Sequence, residues 1–450
     1  MTEPAAAPPD ARRVALGVLL RVERDRAWAD AALGAALAGT RLGARDRALA
    51  TRLVYGTLAW QGRLDWHLGT LAGRPVADLD PAVRAALRLG LYQILLLDRV
   101  PPHAAVATSV DLVKEHQRAA AGLVNAVLRR AVRERAHLPL PDAHAEPIAH
   151  LAVAYSHPEW LVRRWRAALG PDEARALLAA DNEAAPTVLR ARRGTRAALV
   201  ARLRAAGIEA EATRFAPDAV RLRGSVPPDL AARIGGACTP QGEASQLVAL
   251  LVAPAPGMRV LDACAAPGGK ATYLAELMED RGQVVALERH PRRAAMVARA
   301  AAGLALGSVA ALAADARAAA RTLRARFDRI LVDAPCSGLG TLRAHPEVRW
   351  TRHADDPPRL AALQRAILAG VVPLLAPGGA LVYATCTLTR EENEDVVADL
   401  LAAHPELARD AATDHLPAAA RALVATDGTL RTFPHRHDLD GFYAARLVRP

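Results

Sequence analysis

The sequence predicts a multidomain chain: an all-α front part, a small α+β middle part and a rear part built as a doubly wound, Rossmann-like α/β sheet. Apolar residues recur at helical spacing through residues 11–137. Strand-like and helical pieces then alternate briefly over 150–235, and from about residue 237 six short apolar runs follow one another. At 450 residues the chain is also too long for one ordinary core.

The front helices are read from Val14-Ala15-Leu16 with Leu19-Leu20, from Leu49, Leu53, Val54 and Leu58, and from Val83, Leu87, Leu91 and Leu95. Gly43, Gly73, Asp80-Pro81 and Pro101-Pro102 punctuate them. Asp80 before Pro81 reads as an N-cap with proline at the first helical position. Leu138-Pro139-Leu140-Pro141-Asp142 breaks the pattern and marks a linker. In the middle part, helices at 159–169, 171–180 and 196–206 accompany strands at 187–191 and 219–222. A boundary falls on Gly224 to Pro228 and Gly235-Gly236. The rear strands are expected at 259–262, 284–287, 309–312, 329–332, 380–384 and 442–447, with helices between the first five. The domains are accordingly placed at 1–140, 141–236 and 237–450.

Composition narrows the function. The chain is 52% apolar and 23% charged, so it is globular, and its 4% aromatic content leaves the cores to Leu, Val and Ala. The net charge of +11 is concentrated in front: residues 1–140 carry 20 basic and 13 acidic side chains, whereas 236–450 carry 24 and 23. A basic front on a near-neutral rear suggests a polyanion grip ahead of the chemistry. The bland reading, a solvated arginine-rich helix surface, weighs about as much. The four cysteines are 26, 72 and 50 residues apart, without zinc spacing, so no metal is expected. The N-terminus lacks a signal-peptide pattern and no apolar run reaches transmembrane length, which points to the cytoplasm with no membrane partner.

The rear part carries a ligand turn. The run Val260-Leu261-Asp262 leads into Ala263, Cys264, Ala265, Ala266, Pro267, Gly268, Gly269 and Lys270, then a helix. The glycines let backbone approach a ligand. Cys264 and Ala271 stand where a phosphate-binding Walker loop needs Gly and Ser or Thr, and the G-x-G-x-x-G pattern is absent. Glu288, ending the second strand, can bind both hydroxyls of a ribose, and Asp315, after the third, can accept from an adenine amino group. Ribose and adenine without a pyrophosphate suggest S-adenosyl-L-methionine. Each acid alone reads nearly as well as a strand-to-helix cap; the three sites in order do not.

Two thiols complete the pattern. Cys336, in Asp333-Ala334-Pro335-Cys336, and Cys386, in Ala384-Thr385-Cys386-Thr387, each follow a strand in a polar loop. Cytosine C5 is a weak nucleophile; thiolate addition at C6 makes it an enamine able to attack an activated methyl group. The route needs a nucleophilic cysteine and a means of release, which these two can supply, and Asp333 can hydrogen-bond the ring's polar edge. Cys264 and Cys238 lack such a context and read as structural.

These residues resemble the RNA 5-cytosine methyltransferases. The resemblance rests on Pro267-Gly268-Gly269-Lys270, on Asp333-Ala334-Pro335-Cys336-Ser337-Gly338, on Ala384-Thr385-Cys386-Thr387, on 241–246, on 340–350 and on Asp440-Gly441-Phe442-Tyr443. Ahead of them, 89–95, 100–106 and 122–129 resemble a NusB-like RNA-binding domain. The fusion is similar to the bacterial 16S ribosomal RNA cytosine-C5 methyltransferases of the Sun or Fmu type. The resemblance implies Cys386 as the nucleophile that bonds C6 and Cys336 as the thiol of product release. It also implies Cys264 to Lys270, Glu288, Asp315 and Asp333 as S-adenosyl-L-methionine contacts. Two departures, Glu288 for the usual Asp and Thr387 for the usual Ser, keep the functional group. The partner implied is 16S rRNA, naked or in an assembling small subunit, with the protein a monomer. The same chemistry on tRNA, or a non-catalytic NusB-like assembly protein, are the alternatives. Arg343, Arg349 and Trp350 are expected to contact RNA backbone or stack on a base. In front, Arg12, Arg13, Arg45, Arg47, Arg129, Arg130, Arg133 and Arg135 are expected on phosphates.

Overall fold

A computed structural model describes residues 10–223, Leu230 and 237–450. The glycine- and proline-rich boundary expected at 224–236 lies outside the described residues, Leu230 apart. The chain forms two compact units: one holds the residues up to Ala184 together with Leu342–His353, the other Ala185–Thr341 with Ala354–Pro450.

The first unit is helical. Seven helices, Ala11–Asp25, Ala29–Ala38, Ala44–Ala59, Gln61–Ala72, Pro81–Leu96, Pro102–Gln117 and Ala121–Glu134, occupy the stretch read as all-helical. Asp80 caps the fifth as expected, its carboxylate accepting from the Ala82 amide at 2.8 Å. That helix is buried nearly all round, from Ala82 and Val83 through Leu87, Leu89 and Leu91, which makes it the central member of the core. Three further helices, Pro147–Ala154, Glu159–Leu169 and Pro171–Ala180, complete the continuous part of the unit.

The inserted piece, Leu342–His353, corrects one expectation. Arg349 is fully buried. Its guanidinium donates to the Ala59 carbonyl at 3.2 Å, the Ser156 carbonyl at 3.0 Å, Asn182 Oδ1 at 2.8 Å and the Asp181 carbonyl at 3.0 Å. Ala59 and Asp181 lie at helix C-termini, where carbonyls lack intrahelical donors, so the planar cation satisfies several at once. Burial, partly offset by the charges of Asp181 and Glu347, pulls its pKa down to about 10. Trp350 donates its indole N–H to the Leu58 carbonyl at 2.7 Å. Arg343 is also buried, with Glu183 at 3.8 Å. These three side chains anchor the insert in the helical unit, and the buried Arg343 and Arg349 have no exposed guanidinium to offer a nucleic acid.

The second unit contains two sheets. The smaller is antiparallel: β1 (Thr187–Ala191), β2 (Ala210–Ala212), β3 (Ala219–Leu222) and β4 (Cys238–Pro240) run in the order β2-β3-β1-β4. With the helix Arg196–Ala205 they close a core of Leu189, Leu199, Leu203, Ile208 and Val220. The larger sheet begins with β5 (Arg259–Asp262), β6 (Gln283–Glu288), β7 (Val309–Ala313), β8 (Phe327–Asp333) and β9 (Leu375–Thr385). The short β10 (Ala408–Asp410) and β11 (Leu430–Arg431) follow, then β12 (Tyr443–Val448). Its order is β10-β12-β9-β8-β5-β6-β7, with β11 on β12. Neighbours among β5 to β9 pair in parallel and β12 lies antiparallel to β9. Buried on both faces, the central strands read as unbroken apolar runs, Ile330-Leu331-Val332 among them. All six expected strands are present, and the order turns back between β5 and β8, which sets the ligand crevice at the strand C-termini.

Candidate active site

Four strand ends deliver a carboxylate to this edge. Asp262, Glu288 and Asp333 are the last residues of β5, β6 and β8, and Asp315 follows β7 by two residues. Between the first two lies the glycine turn. The Ala263 amide donates to the Leu331 carbonyl at 2.9 Å and the Ala265 amide to the Leu287 carbonyl at 2.8 Å, so the turn is sewn to the strands on either side. Gly268 sits at φ +112°, and a Cβ there would lie 3.1 Å from Val297 Cα. Only glycine fits both constraints. The helix Gly269–Leu277 then starts at the turn.

Arg190, which sequence reasoning missed, fixes that helix. It is buried, donates to Gln241 Oε1 at 2.5 Å, the Gly269 carbonyl at 2.6 Å and Thr272 Oγ1 at 3.1 Å, and stacks over the Tyr273 ring at 4.7 Å. An arginine in the middle of a strand gives no cue to such a role.

Lys270 Nζ is 2.7 Å from Asp333 Oδ2 and 5.4 Å from the centre of the Phe442 ring. Burial disfavours the ammonium, but the Asp333 charge and its hydrogen bond prevail and hold Lys270 above the usual lysine range, with Cys386 acting in the same direction. Asp262 is fully buried and neither oxygen closes a hydrogen bond of normal geometry. Burial first, then the like charge of Asp333, raise its pKa to about 7. Glu288 accepts from the His290 amide at 2.9 Å, with Arg293 at 3.5 Å. Asp315 accepts from the Arg317 amide at 3.0 Å and is paired with its guanidinium at 2.6 Å. Cys264 lies in the same turn, its thiol pushed far up by burial and then by the neighbouring acids.

The two cysteines expected to work together do meet: Cys336 Sγ and Cys386 Sγ are 3.3 Å apart. Their loops leave adjacent parallel strands at Asp333 and Ala384, which are register partners, and the Ala334 amide donates to the Ala384 carbonyl at 2.8 Å. A third loop locks them. The Gly340 amide donates to the Cys386 carbonyl at 3.0 Å, the Gly441 amide donates to the Gly340 carbonyl at 2.7 Å, and a Cβ on Gly340 would sit 2.0 Å from Gly441 O. The Cys336 thiol is held well above the ordinary range by its hydrogen bond to Cys386 and then by burial. Either sulfur can donate in this contact, so the 3.3 Å approach by itself does not order the two thiols. Behind them lies a polar layer that sequence reasoning also missed: Gln364, Tyr383, Glu392 and Asn393, all buried. Glu391-Glu392-Asn393-Glu394 reads as an exposed helix start, so no signal singled out its second residue.

The acid-rimmed crevice suits S-adenosyl-L-methionine: carboxylates match a cationic sulfonium, ribose hydroxyls and an adenine amine, and the turn excludes a Cβ at Gly268. Among the described residues no group of three or more His, Cys, Asp or Glu is placed to hold a metal ion. No helix among them is long and apolar enough to cross a membrane.

A glycine turn at the crevice of a reversing parallel sheet, rimmed by acids and faced by a thiol pair, is the construction of a Rossmann-like methyltransferase domain. The chain belongs to the 16S rRNA methyltransferase RsmB/F family, whose model matches residues 249–448. A NusB family model matches 9–133, and a ferredoxin-like domain model of RsmF/B-like methyltransferases matches 157–229. The Bacillus subtilis protein called probable ribosomal RNA small subunit methyltransferase B is 38% identical, covering 97% of this chain and 98% of its own. The Pseudomonas putida ribosomal RNA small subunit methyltransferase B is 38% identical over 90% of this chain and 91% of its own. Among solved structures, that of PH0851 superposes with a TM-score of 0.84 at 26% identity, over 99% of this chain and 100% of that one. The structure of NSun6 from Pyrococcus horikoshii with SFG shares the fold, with a TM-score of 0.56 at 20% identity over 65% of this chain and 98% of its own.

Proposed function

We propose that this protein transfers a methyl group from S-adenosyl-L-methionine to C5 of a cytosine in 16S rRNA, through a transient bond between Cys386 Sγ and C6. The observation that carries the reading is the 3.3 Å thiol pair at the ends of adjacent strands, beside the Lys270–Asp333 ion pair. The names of the relatives supply the small-subunit RNA; the residues supply the chemistry.

Cys386 adds to C6, which places negative charge on the ring and makes C5 nucleophilic. Lys270 stands near Cys386 as a cation. Asp333, held in place by Lys270, is positioned for the polar edge of the ring. The methyl donor, when bound, supplies an electrophilic carbon, and Cys264 to Lys270, Glu288, Asp315 and Asp333 would hold it. Cys336, 3.3 Å from Cys386, serves the release step: as the base it takes the C5 proton, the electron pair of that C–H bond re-forms the C5–C6 double bond, and the C6–S bond breaks to return Cys386 as its thiolate.

Residues 1–140 are read as an RNA grip, 141–236 as a small accessory domain and 237–450 as the catalytic domain, in a monomeric cytoplasmic protein acting on naked RNA or an assembling small subunit. Of the front arginines, Arg13 pairs with Glu115, Arg130 with Glu134, and Arg47 donates to the Leu37 carbonyl. Arg45, Arg133 and Arg135 are exposed and are the side chains assigned to phosphates. Bisulfite mapping of ribosomal and transfer RNA, with the parent and with Cys386→Ala, tests the function. A new protected cytosine in 16S rRNA with the parent alone is expected. Protection confined to tRNA, or surviving in the variant, contradicts the reading.

A further inference from the structure

We propose that Glu392 is a positioning residue for methyl transfer: its buried carboxylate holds the Cys336 and Cys386 loops in register, an inference that rests on the thiol mechanism proposed above. Glu392 is fully buried. Its Oε1 accepts from the Ser337 amide at 2.8 Å and from Gln364 Nε2 at 3.0 Å. Its Oε2 accepts from Ser337 Oγ at 2.5 Å and Thr389 Oγ1 at 2.8 Å. Four donors converge on one carboxylate, and Ser337 immediately follows Cys336.

The same layer reaches the residues flanking both sulfurs. On the near side of Cys336, Gln364 Nε2 donates to the Pro335 carbonyl at 3.1 Å. Around Cys386, Thr385 Oγ1 donates to Asn393 Oδ1 at 2.5 Å, and Asn393 Nδ2 donates to the Thr387 carbonyl at 3.0 Å. Ser337 Oγ and Thr387 Oγ1, 2.8 Å apart, join the two loops directly. Tyr383 OH closes the layer, 3.0 Å from Gln364 Oε1 and 2.5 Å from the Glu392 carbonyl. Every residue next to a cysteine in either loop is therefore tied to Glu392 or to a side chain that Glu392 touches or adjoins.

Neither sulfur bonds to this layer in the hydrogen bonds above, so Glu392 acts through the geometry of the loops, with its charge adding to the upward pull on the Cys336 thiol. A thiol–thiol hydrogen bond is too weak to keep two sulfurs 3.3 Å apart; the Ala334 and Gly340 amides hold the loop backbones, and the Glu392 layer adds the side-chain ties on either side of each cysteine. A buried carboxylate with its acceptor positions filled is rigid, and removing it strands four donors.

The test uses the full-length protein as Glu392→Ala, Glu392→Gln and Ser337→Ala, with concentrations normalised to sinefungin-binding sites. Two rates are read: single-turnover methyl transfer, and closure of a Cys336–Cys386 disulfide by diamide, in which two thiols lose two hydrogens and the azo compound becomes a hydrazine. For Glu392→Ala both rates should fall by about 10²-fold, the cost of misplacing reacting groups by about 1 Å, with sinefungin affinity unchanged. Glu392→Gln should stay within about tenfold of the parent, since its carbonyl oxygen keeps the Oε1 partners and rotating hydroxyls accept from its amide. Ser337→Ala, the milder change if Glu392→Ala does not fold, should slow both rates measurably. Parental methyl transfer in Glu392→Ala, or in Ser337→Ala where that variant stands in, overturns the proposal, even with slowed cross-linking. Methyl transfer surviving in Cys386→Ala instead sinks the thiol mechanism, while the cross-linking result stands apart from it.

Discussion

Replacing Asp262 by asparagine should change the pH dependence of stability in a way set by its position at the end of β5. The carboxyl is fully buried, its oxygens lack well-formed hydrogen bonds, and burial with the Asp333 charge raises its pKa from 3.8 to about 7. The folded protein thus binds this proton more tightly than the unfolded chain does. That preference favours the folded state fully below the unfolded value of 3.8 and is lost as pH rises through about 7. The rise from 3.8 to about 7 corresponds to roughly 4 kcal/mol, an upper figure because the site relaxes on ionisation. Asparagine does not titrate. Its buried amide costs a constant about 1–3 kcal/mol, so the slope, not the absolute difference, is the readout. Thermal unfolding of both proteins between pH 4 and pH 8 measures it: relative to the parent, Asp262→Asn should gain about 2–4 kcal/mol across that interval. Each kcal/mol moves the midpoint of a unit this size by about 2–4 °C. A difference that stays flat with pH, or grows toward acid, refutes the assignment of an ionisable buried carboxyl held near neutrality.

Arg349→Ala should lower the stability of the helical unit by about 3–5 kcal/mol, because several carbonyls and Asn182 lose a buried donor; unfolding temperature checks this. Arg349→Lys should recover little, since an ammonium cannot span the same acceptors. Neither variant, where folded, should alter the salt dependence of RNA binding. Neutralising Arg45, Arg133 and Arg135 should do the opposite. The slope of log affinity against log salt should shrink by about 0.7–0.9 for each phosphate left without its arginine, with the unfolding temperature held within about 2 °C. Filter binding at several salt concentrations separates the two cases. Equal effects from both sets would contradict the division between buried anchors and phosphate ligands.

Much of the rear fold was legible because parallel strands buried on both faces leave runs such as Val284-Val285-Ala286-Leu287 that need no periodicity to be seen. Their ends were not legible. β9 begins at Leu375 and passes through Pro377, Gly378 and Gly379, residues that read as a turn, yet it pairs with β8 at Leu375 and again from Ala380. The short strands Ala210–Ala212, Cys238–Pro240, Ala408–Asp410 and Leu430–Arg431 carry no pattern of their own and form only where a longer neighbour offers an edge. In the site, residues in loops with glycine or proline beside them announced themselves. Arg190 and Glu392 did not, because a charged residue in a sequence reads as solvated until acceptors or donors from distant segments surround it. Arg343 and Arg349 were misplaced for the same reason, and Trp350 with them: their carbonyl partners come from distant segments that the local sequence does not reveal.

Most direct of all is a covalent trap. Cys336→Ala, incubated with 16S rRNA and S-adenosyl-L-methionine and then denatured and digested, should yield a peptide carrying a nucleotide on Cys386, because the second thiol 3.3 Å away is no longer present to serve release. The parent should show only a trace of it. No adduct in the variant, or one mapped to any residue other than Cys386, contradicts the proposed chemistry.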